Sequence, residues 1–311
     1  MVEALNDRKV EPVVFDASAF PGAAPVTLSY ERGGFRVRGP CEVAVDDIGA
    51  VWQNVVVGSD LPAMAPGVRE TCVAASELAL VGMLDSLRVF QLDPHANQAR
   101  ASNKVRQLRL AQEIGLEIPA TIVTNDPEAV RAFAGRVGPV IAKMLVQPAS
   151  TGPETDESPV VFTTAMTAAD LAQLDGLDLC PMIFQEQIEN QRDIRVTIVG
   201  NRMFSAALTA PARAGGDLDW RRDSYARDQV PAWVPHDLPG VLLGQLLDVV
   251  DHFGLNYGAI DLIERPDGRH VFLELNPSGA FSFMGEPDAP QIAAQIANVL
   301  VDPAARLIDD D

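Results

Sequence analysis

The sequence predicts a mixed α/β (α+β) protein built from more than one lobe, and three observations lead there. The chain has 311 residues, more than one small core accounts for. Apolar residues make up 47% and charged residues 22%, proportions that bury a core and argue against global disorder. From residue 103 onward, helix-period and strand-period segments alternate, the pattern of a mixed sheet with flanking helices.

Taken in order, residues 1–102 form a first lobe. Strand-like runs at Pro12–Asp16, Val26–Tyr30 and Phe35–Arg38 are separated by glycine and proline. A helix is expected from Val68 to about Leu87, and Asp93 and Pro94 break the pattern after it. No chemical motif falls in this lobe, which reads as scaffold or partner surface.

A second lobe is expected over 103–184. Asn103 is placed to cap a helix from Lys104 to Ile114 that Gly115 closes. A strand follows at Pro119–Thr124. Asn125, Asp126 and Pro127 then open a helix to about Arg136, and Val140–Met144 is strand-like. Residues 146–159 are rich in turn formers and acids. They suit either a solvated hairpin tip or a lid over phosphates contacting through Ser150, Thr151 and Gly152, although Glu154, Asp156 and Glu157 oppose direct phosphate contact. A short helix is expected near Thr167–Asp175, then a strand at Met182–Gln187.

The third lobe, 185–311, has strands at Ile194–Val199 and Met203–Leu208, then a long proline-bearing loop over 209–239. A helix at Val241–Phe253 precedes strands Tyr257–Glu264 and His270–Leu275, joined by Arg265, Pro266, Asp267 and Gly268, a hairpin signal. A last helix runs from about Gln291 to Leu300.

Charge narrows the function classes. A net charge of -19 argues against a nucleic-acid-binding surface, which needs cations against phosphates, but it leaves room for a nucleotide pocket. Only Lys9, Lys104 and Lys143 are lysines, so each is worth inspecting. Cys41, Cys72 and Cys180 are too few and too scattered for a disulfide framework or a thiolate zinc site. The charged N-terminus lacks the apolar core of a signal peptide, and no apolar run approaches the ~20 residues of a membrane span. A cytoplasmic protein is expected, with no membrane partner.

Three groups of residues carry chemistry. In the terminal hairpin, alternation puts Asp261 on the face opposite Ile260 and Leu262, and puts Glu274 and Asn276 together on one face. If Asp267 and Gly268 form a two-residue turn, Asp261 pairs directly with Glu274. Two carboxylates and an amide oxygen suit Mg2+, while the absence of thiolate and imidazole opposes zinc. The other reading is polar residues on the wet face of a sheet, which the abrupt turn Asn276–Gly279 after an apolar strand weakens. The second group is Glu186, Gln187 and Ile188 followed by Asp193 and Arg195. Its linker backbone suits an adenine edge and its Asp193 a ribose, or it is simply a turn with an Asp–Arg pair. Third, Lys143 lies inside an apolar strand, which favours an anion partner over a snorkelling edge lysine.

Here the sequence resembles the ATP-grasp superfamily, and within it the graspetide (microviridin-type) peptide-modifying ligases. The stretches that carry the resemblance are 103–126, the strand around Lys143, 184–200, Asp217–Asp223 and 257–279. Residues 1–102 resemble the pre-ATP-grasp lobe more weakly. The resemblance implies an ATP-grasp fold, with nucleotide bound between two α+β lobes and cofactors ATP and Mg2+. Lys104 and Lys143 would contact phosphates or the adenine edge, Glu186, Gln187 and Ile188 would line the adenine hinge, and Asp193 would hold the ribose. Arg221 would face the γ-phosphate or acyl phosphate, with Arg195 and Arg213 on the acceptor side, and Asp261, Glu274 and Asn276 would bind Mg2+. The partner implied is a ribosomal precursor peptide with leader and core, docked on the central lobe, and a homodimer is a family-level expectation. Two departures stand out. The loop after Lys143 lacks a glycine-rich run, and Ala206–Ala210 replaces a serine-glutamine common in related ligases.

The activity implied joins activated Asp or Glu side chains to Ser/Thr hydroxyls as ω-esters or to Lys amines as ω-amides. A ligase adding a free amino acid and a non-catalytic nucleotide-binding relative are the alternatives.

Overall fold

In the computed structural model, the structure describes residues 1–31, 34–38, 47–53, 61–146, 163–209, 232–285 and 287–308. The expected mixed α/β class is what forms. Helices α1 (Val2–Asn6), α2 (Pro66–Asp85) and α3 (His95–Ala101) belong to the N-terminal part, with strands β1 (Thr27–Glu31), β2 (Gly34–Arg38), β3 (Ala50–Trp52) and β4 (Phe90–Leu92). Strands β1 and β2 pair antiparallel, and β3 and β4 pair parallel. The strand expected at Pro12–Asp16 is not formed. Its Val13 and Val14 are exposed, and Pro12 has no N–H to give a ladder. Strands β3 and β4 escaped sequence reading because three residues carry no detectable period.

A four-stranded sheet follows, built from β5 (Thr121–Thr124), β6 (Val140–Met144), β7 (Thr164–Ala165) and β8 (Met182–Glu186) in the order β5-β8-β6-β7. Asp126 caps α5 (Pro127–Val137) through the Glu128 N–H, and Val130 and Phe133, one turn apart, bury against Ala142 and Phe184. Lys143 and its partner Ile183 point to the other face. Helix α6 (Ala168–Ala172) begins at a capping box between Thr167 and Asp170 and ends earlier than expected, ahead of left-handed Gly176.

The largest sheet has the order β11-β10-β9-β12-β13, from β9 (Arg192–Val199), β10 (Arg202–Thr209), β11 (Val234–Pro235), β12 (Tyr257–Glu264) and β13 (His270–Asn276). Alternation sends Ile194, Val196, Ile198, Ile260, Leu262 and Leu275 to one face. There they meet Leu242, Leu246, Val249 and Val250 of α7 (Gly240–His252). Helix α4 (Lys104–Glu113) adds Leu110 and Ala111 to this same core, so it packs on the five-stranded sheet. The other face meets Ile292, Ile296 and Val299 of α8 (Asp288–Val301), and Phe90 and Leu92 of β4 extend that core into the N-terminal part. The carboxylate of Asp93 accepts from the Asn256 and Tyr257 N–H groups at 2.8 Å each and fixes the start of β12.

Candidate active site

The site is built on the half of the second sheet face that α8 leaves uncovered. Arg195, Asp261 and Glu274 are directly opposed across β9, β12 and β13, so all three share that face. The expected Asp261–Glu274 pairing forms, but not through a two-residue turn. The hairpin loop is longer: Gly268, at φ 81°, donates to the Arg265 carbonyl, and the Arg265 N–H donates to the Arg269 carbonyl. Glu264 therefore pairs with His270, and the register alone would set Leu273 opposite Asp261. A bulge after Leu262/Phe272 inserts Leu273 and carries Glu274 across to the face of Asp261.

The side chains form one chain with a cation at each end and two acids joined by an amide between them. Lys104 Nζ lies 2.8 Å from Glu274 Oε2. Asn276 Nδ2 donates to Glu274 Oε1 at 3.4 Å and to Asp261 Oδ2 at 3.0 Å. Arg195 Nη1 donates to Asp261 Oδ1 at 2.6 Å, and the same guanidinium lies over the Phe283 ring and reaches the Ala280 carbonyl. Two acids and two cations leave the cluster near neutral, and a cation pairs each acid from the side. Asn103 places Lys104 by capping α4, accepting from the Arg106 N–H.

The turn after β13 folds back tightly. A Cβ at Gly279 would come within 2.6 Å of Ala259 Cβ and 3.2 Å of Asn276 Cβ, so only glycine lets Asn276 keep its place. The Tyr257 hydroxyl donates to the Gly279 carbonyl, and burial pushes this phenol well above its usual pKa, so it acts as a fixed donor.

The residues fit a magnesium ion by their donor chemistry. Among the described residues no cluster of three or more His, Cys, Asp or Glu side chains could hold a metal. What stands here is two carboxylates facing an amide that occupies the space between their oxygens, and turning that amide presents a third hard oxygen.

The linker after β8 has the layout that suits an adenine edge. The Glu186 and Gln187 N–H groups are taken by the Ala120 and Pro139 carbonyls at 2.9 Å each, while Ile188 is buried and its N–H has no acceptor among the described residues. Asp193 Oδ1 accepts from Asn190 Nδ2 at 2.8 Å. The structure thus brings Lys104, Arg195, Asp261, Glu274 and Asn276 together, and groups Glu186, Gln187, Ile188 and Asp193 around the linker. Lys143 stands on the sheet face away from the α5 core. Arg213, Arg221 and the 147–159 part of the acidic loop lie outside the described residues.

Sequence reasoning missed what joins these two groups. Arg265 at the hairpin tip lies 3.2 Å from Glu117 and 3.8 Å from Glu186, and Arg269 adds a two-oxygen contact to Glu117 at 3.1 Å. One hairpin therefore holds the linker at its tip and the acids at its far end. Gln107, buried on α4, was also missed. Its spacing of three from Lys104 on a helix face was the only available signal.

This fold and this arrangement are those of an ATP-grasp ligase. Residues 1–99 match the MvdD pre-ATP grasp domain. The macrocyclase MdnC of Microcystis aeruginosa MRC, solved with its precursor peptide MdnA, is 35% identical, with 97% of this chain and 94% of that chain covered and a TM-score of 0.83. A RiPP-associated ATP-grasp ligase of Chryseobacterium gregarium, solved with ADP and a leader and core peptide, is 28% identical over 99% of this chain and 93% of that one, with a TM-score of 0.86. A curated relative, a probable alpha-L-glutamate ligase of Psychromonas ingrahamii, is 21% identical over 226 residues, 71% of this chain and 70% of that protein. The chain belongs to the ATP-grasp graspetide maturase family, and it is an ATP-dependent ligase. Among the described residues no helix is long and apolar enough to cross a membrane.

Proposed function

We propose that this ligase is a macrocyclase acting on a ribosomal precursor peptide with leader and core. It would activate core Asp or Glu carboxylates with ATP and join them to Ser/Thr hydroxyls or Lys amines. The observation that carries this reading is the Lys104–Glu274–Asn276–Asp261–Arg195 network, on a chain similar along nearly its whole length to a macrocyclase solved with its precursor.

Each residue then has a task. The peptide carboxylate oxygen attacks the γ-phosphorus of ATP, the bond to the β-phosphate oxygen breaks, and ADP leaves with that electron pair. The acceptor oxygen or nitrogen next attacks the acyl carbon and loses its proton, and phosphate departs. No enzyme nucleophile is required, so positioning and charge carry the rate. Magnesium held by Asp261, Glu274 and Asn276 supplies neutralisation of phosphate charge. Lys104 turns from Glu274 to the phosphates, Lys143 contacts them from the central sheet, and Arg221 faces the transferred group. Arg195 orients Asp261, and with Arg213 it borders the acceptor. The Ile188 N–H and the neighbouring Glu186 and Gln187 read adenine, and Asp193 holds the ribose. The lobes divide as 1–102, 103–184 and 185–311, with the peptide docked on the central one.

The test is mass spectrometry of a candidate precursor incubated with enzyme, ATP and Mg2+. Loss of one water per ring supports the proposal, and an unchanged mass overturns it. A mass gain equal to an amino acid residue would instead choose the amino-acid-adding reading, which the likeness to a glutamate ligase favours.

A further inference from the structure

Two of the three side chains proposed to hold the metal, Glu274 and Asn276, lie on an edge strand, and something must hold that edge still. Strand β13 ends the sheet order, so among the described residues its outer N–H and C=O groups have no neighbouring strand. Leu275, between Glu274 and Asn276 in sequence, has its outward groups filled by one side chain. Gln107 Oε1 accepts from the Leu275 N–H at 2.9 Å, and Gln107 Nε2 donates to the Leu275 carbonyl at 2.7 Å. The second hydrogen of the same Nε2 goes to the Ala101 carbonyl at the end of α3. One donor and two acceptors around the amide leave a single orientation for its oxygen and nitrogen. Gln107 is 1% exposed, so water does not compete.

Gln107 stands one turn along α4 from Lys104, which pairs with Glu274. The helix thus grips β13 twice, once through the carboxylate and once through the backbone beside it. The grip falls next to the bulge at Leu273, where the ladder between β12 and β13 is interrupted and the direction of Glu274 depends on an irregular backbone.

We infer that Gln107 is a positioning residue for the metal site: by clasping Leu275 it sets the directions of Glu274 and Asn276. The inference rests on the reading that Asp261, Glu274 and Asn276 hold the metal. Groups that orient metal ligands change affinity about 10- to 100-fold when removed, although they touch no metal.

The experiment measures Mn2+ binding to the full chain with saturating ADP, by electron paramagnetic resonance of free Mn2+. Two variants are compared with the wild type: Gln107→Met, which keeps the length and loses the hydrogen bonds, and Gln107→Asn, which keeps the amide but is too short to span Leu275. Thermal unfolding and metal-free ADP affinity are followed in parallel. The expected result is Mn2+ binding weakened about tenfold or more in both variants, with ADP affinity unchanged in the absence of metal. Variants that melt earlier yet bind Mn2+ like the wild type would show that Gln107 only seals the edge, and would overturn the inference. Glu274→Gln is the reference. If it loses Mn2+ while the Gln107 variants keep it, the Gln107 inference alone falls. If it also keeps Mn2+, the metal-site reading falls and this inference with it.

Discussion

Lys104 Nζ is 2.8 Å from Glu274 Oε2, so a lysine neutralises a carboxylate proposed to hold the metal. Both side chains are partly shielded, with relative exposures of 29% and 14%, and the pair competes with any cation for Glu274. Lys104→Met is therefore expected to bind Mn2+ more tightly without nucleotide, by about fivefold, the upper worth of a partly exposed pair. With ATP present the same variant is expected to turn over more slowly, because a phosphate contact is gone. Titration of Mn2+ with and without nucleotide checks both signs; unchanged binding in the free enzyme would show that the pair does not guard the site.

Gly279→Ala is expected to damage the site through packing alone. The added methyl group meets Ala259 Cβ at 2.6 Å and Asn276 Cβ at 3.2 Å, neither the end of a flexible side chain. Overpacking of this kind destabilises by about 1–3 kcal/mol. The strain falls on Asn276, so Mg2+-dependent activity should drop further than the loss of folded protein explains. Urea unfolding and the Mg2+ concentration for half-maximal turnover measure the two effects separately.

The hairpin marks how far the sequence was legible. Alternation put Asp261 on the right face, and the Asp267-Gly268 signal put a turn in the right place. The Asp261–Glu274 pairing then emerged through compensation: the loop is one residue longer than a two-residue turn, and the bulge at Leu273 restores the count. A bulge has no periodic signature, because it is a departure from the period. Helix α4 was read correctly from its cap at Asn103, since capping is local. The partners of that helix were not, because Gln107 is 168 positions from Leu275 and Lys104 is 170 from Glu274. Arg195 was read as bordering the acceptor. Its tie to Asp261 depends on β9 lying beside β12, which strand order decides and local pattern does not.

Stability is expected to fall as pH drops below about 6.5, and His270 contributes to the slope. Burial holds its pKa below the ordinary 6.5, with nearby Glu264 pulling upward and His236 pushing down. Its Nε2 is buried with no hydrogen-bond partner among the described residues, and Glu264 is already engaged by Arg192 at 2.7 Å. The unfolded chain therefore takes up a proton near pH 6.5 that the folded chain refuses until lower pH, so stability is retained above that value and lost below it. His270→Phe is expected to flatten the loss between pH 7 and the folded pKa. Chemical denaturation at a series of pH values checks this, and an equally steep loss in the variant would assign the slope to other groups.

Arg195 and Asp261 should behave as a unit. The guanidinium is 8% exposed and its contact with Asp261 Oδ1 is 2.6 Å, so removing either partner leaves a charge in a poorly hydrated place. Asn276 softens this on the acid side, since its amide still donates to Asp261 Oδ2, whereas the Arg195 Nε has no hydrogen-bond partner among the described residues. Asp261→Asn is therefore expected to destabilise more than Arg195→Met, the former by about 3 kcal/mol. The double variant should fall well short of the sum, with a coupling of about 1–3 kcal/mol. Both single variants lose Mg2+-dependent turnover, Asp261→Asn by removing a proposed ligand and Arg195→Met by releasing one. Urea unfolding of the four proteins closes the cycle. Strictly additive effects would show that Arg195 and Asp261 contribute independently.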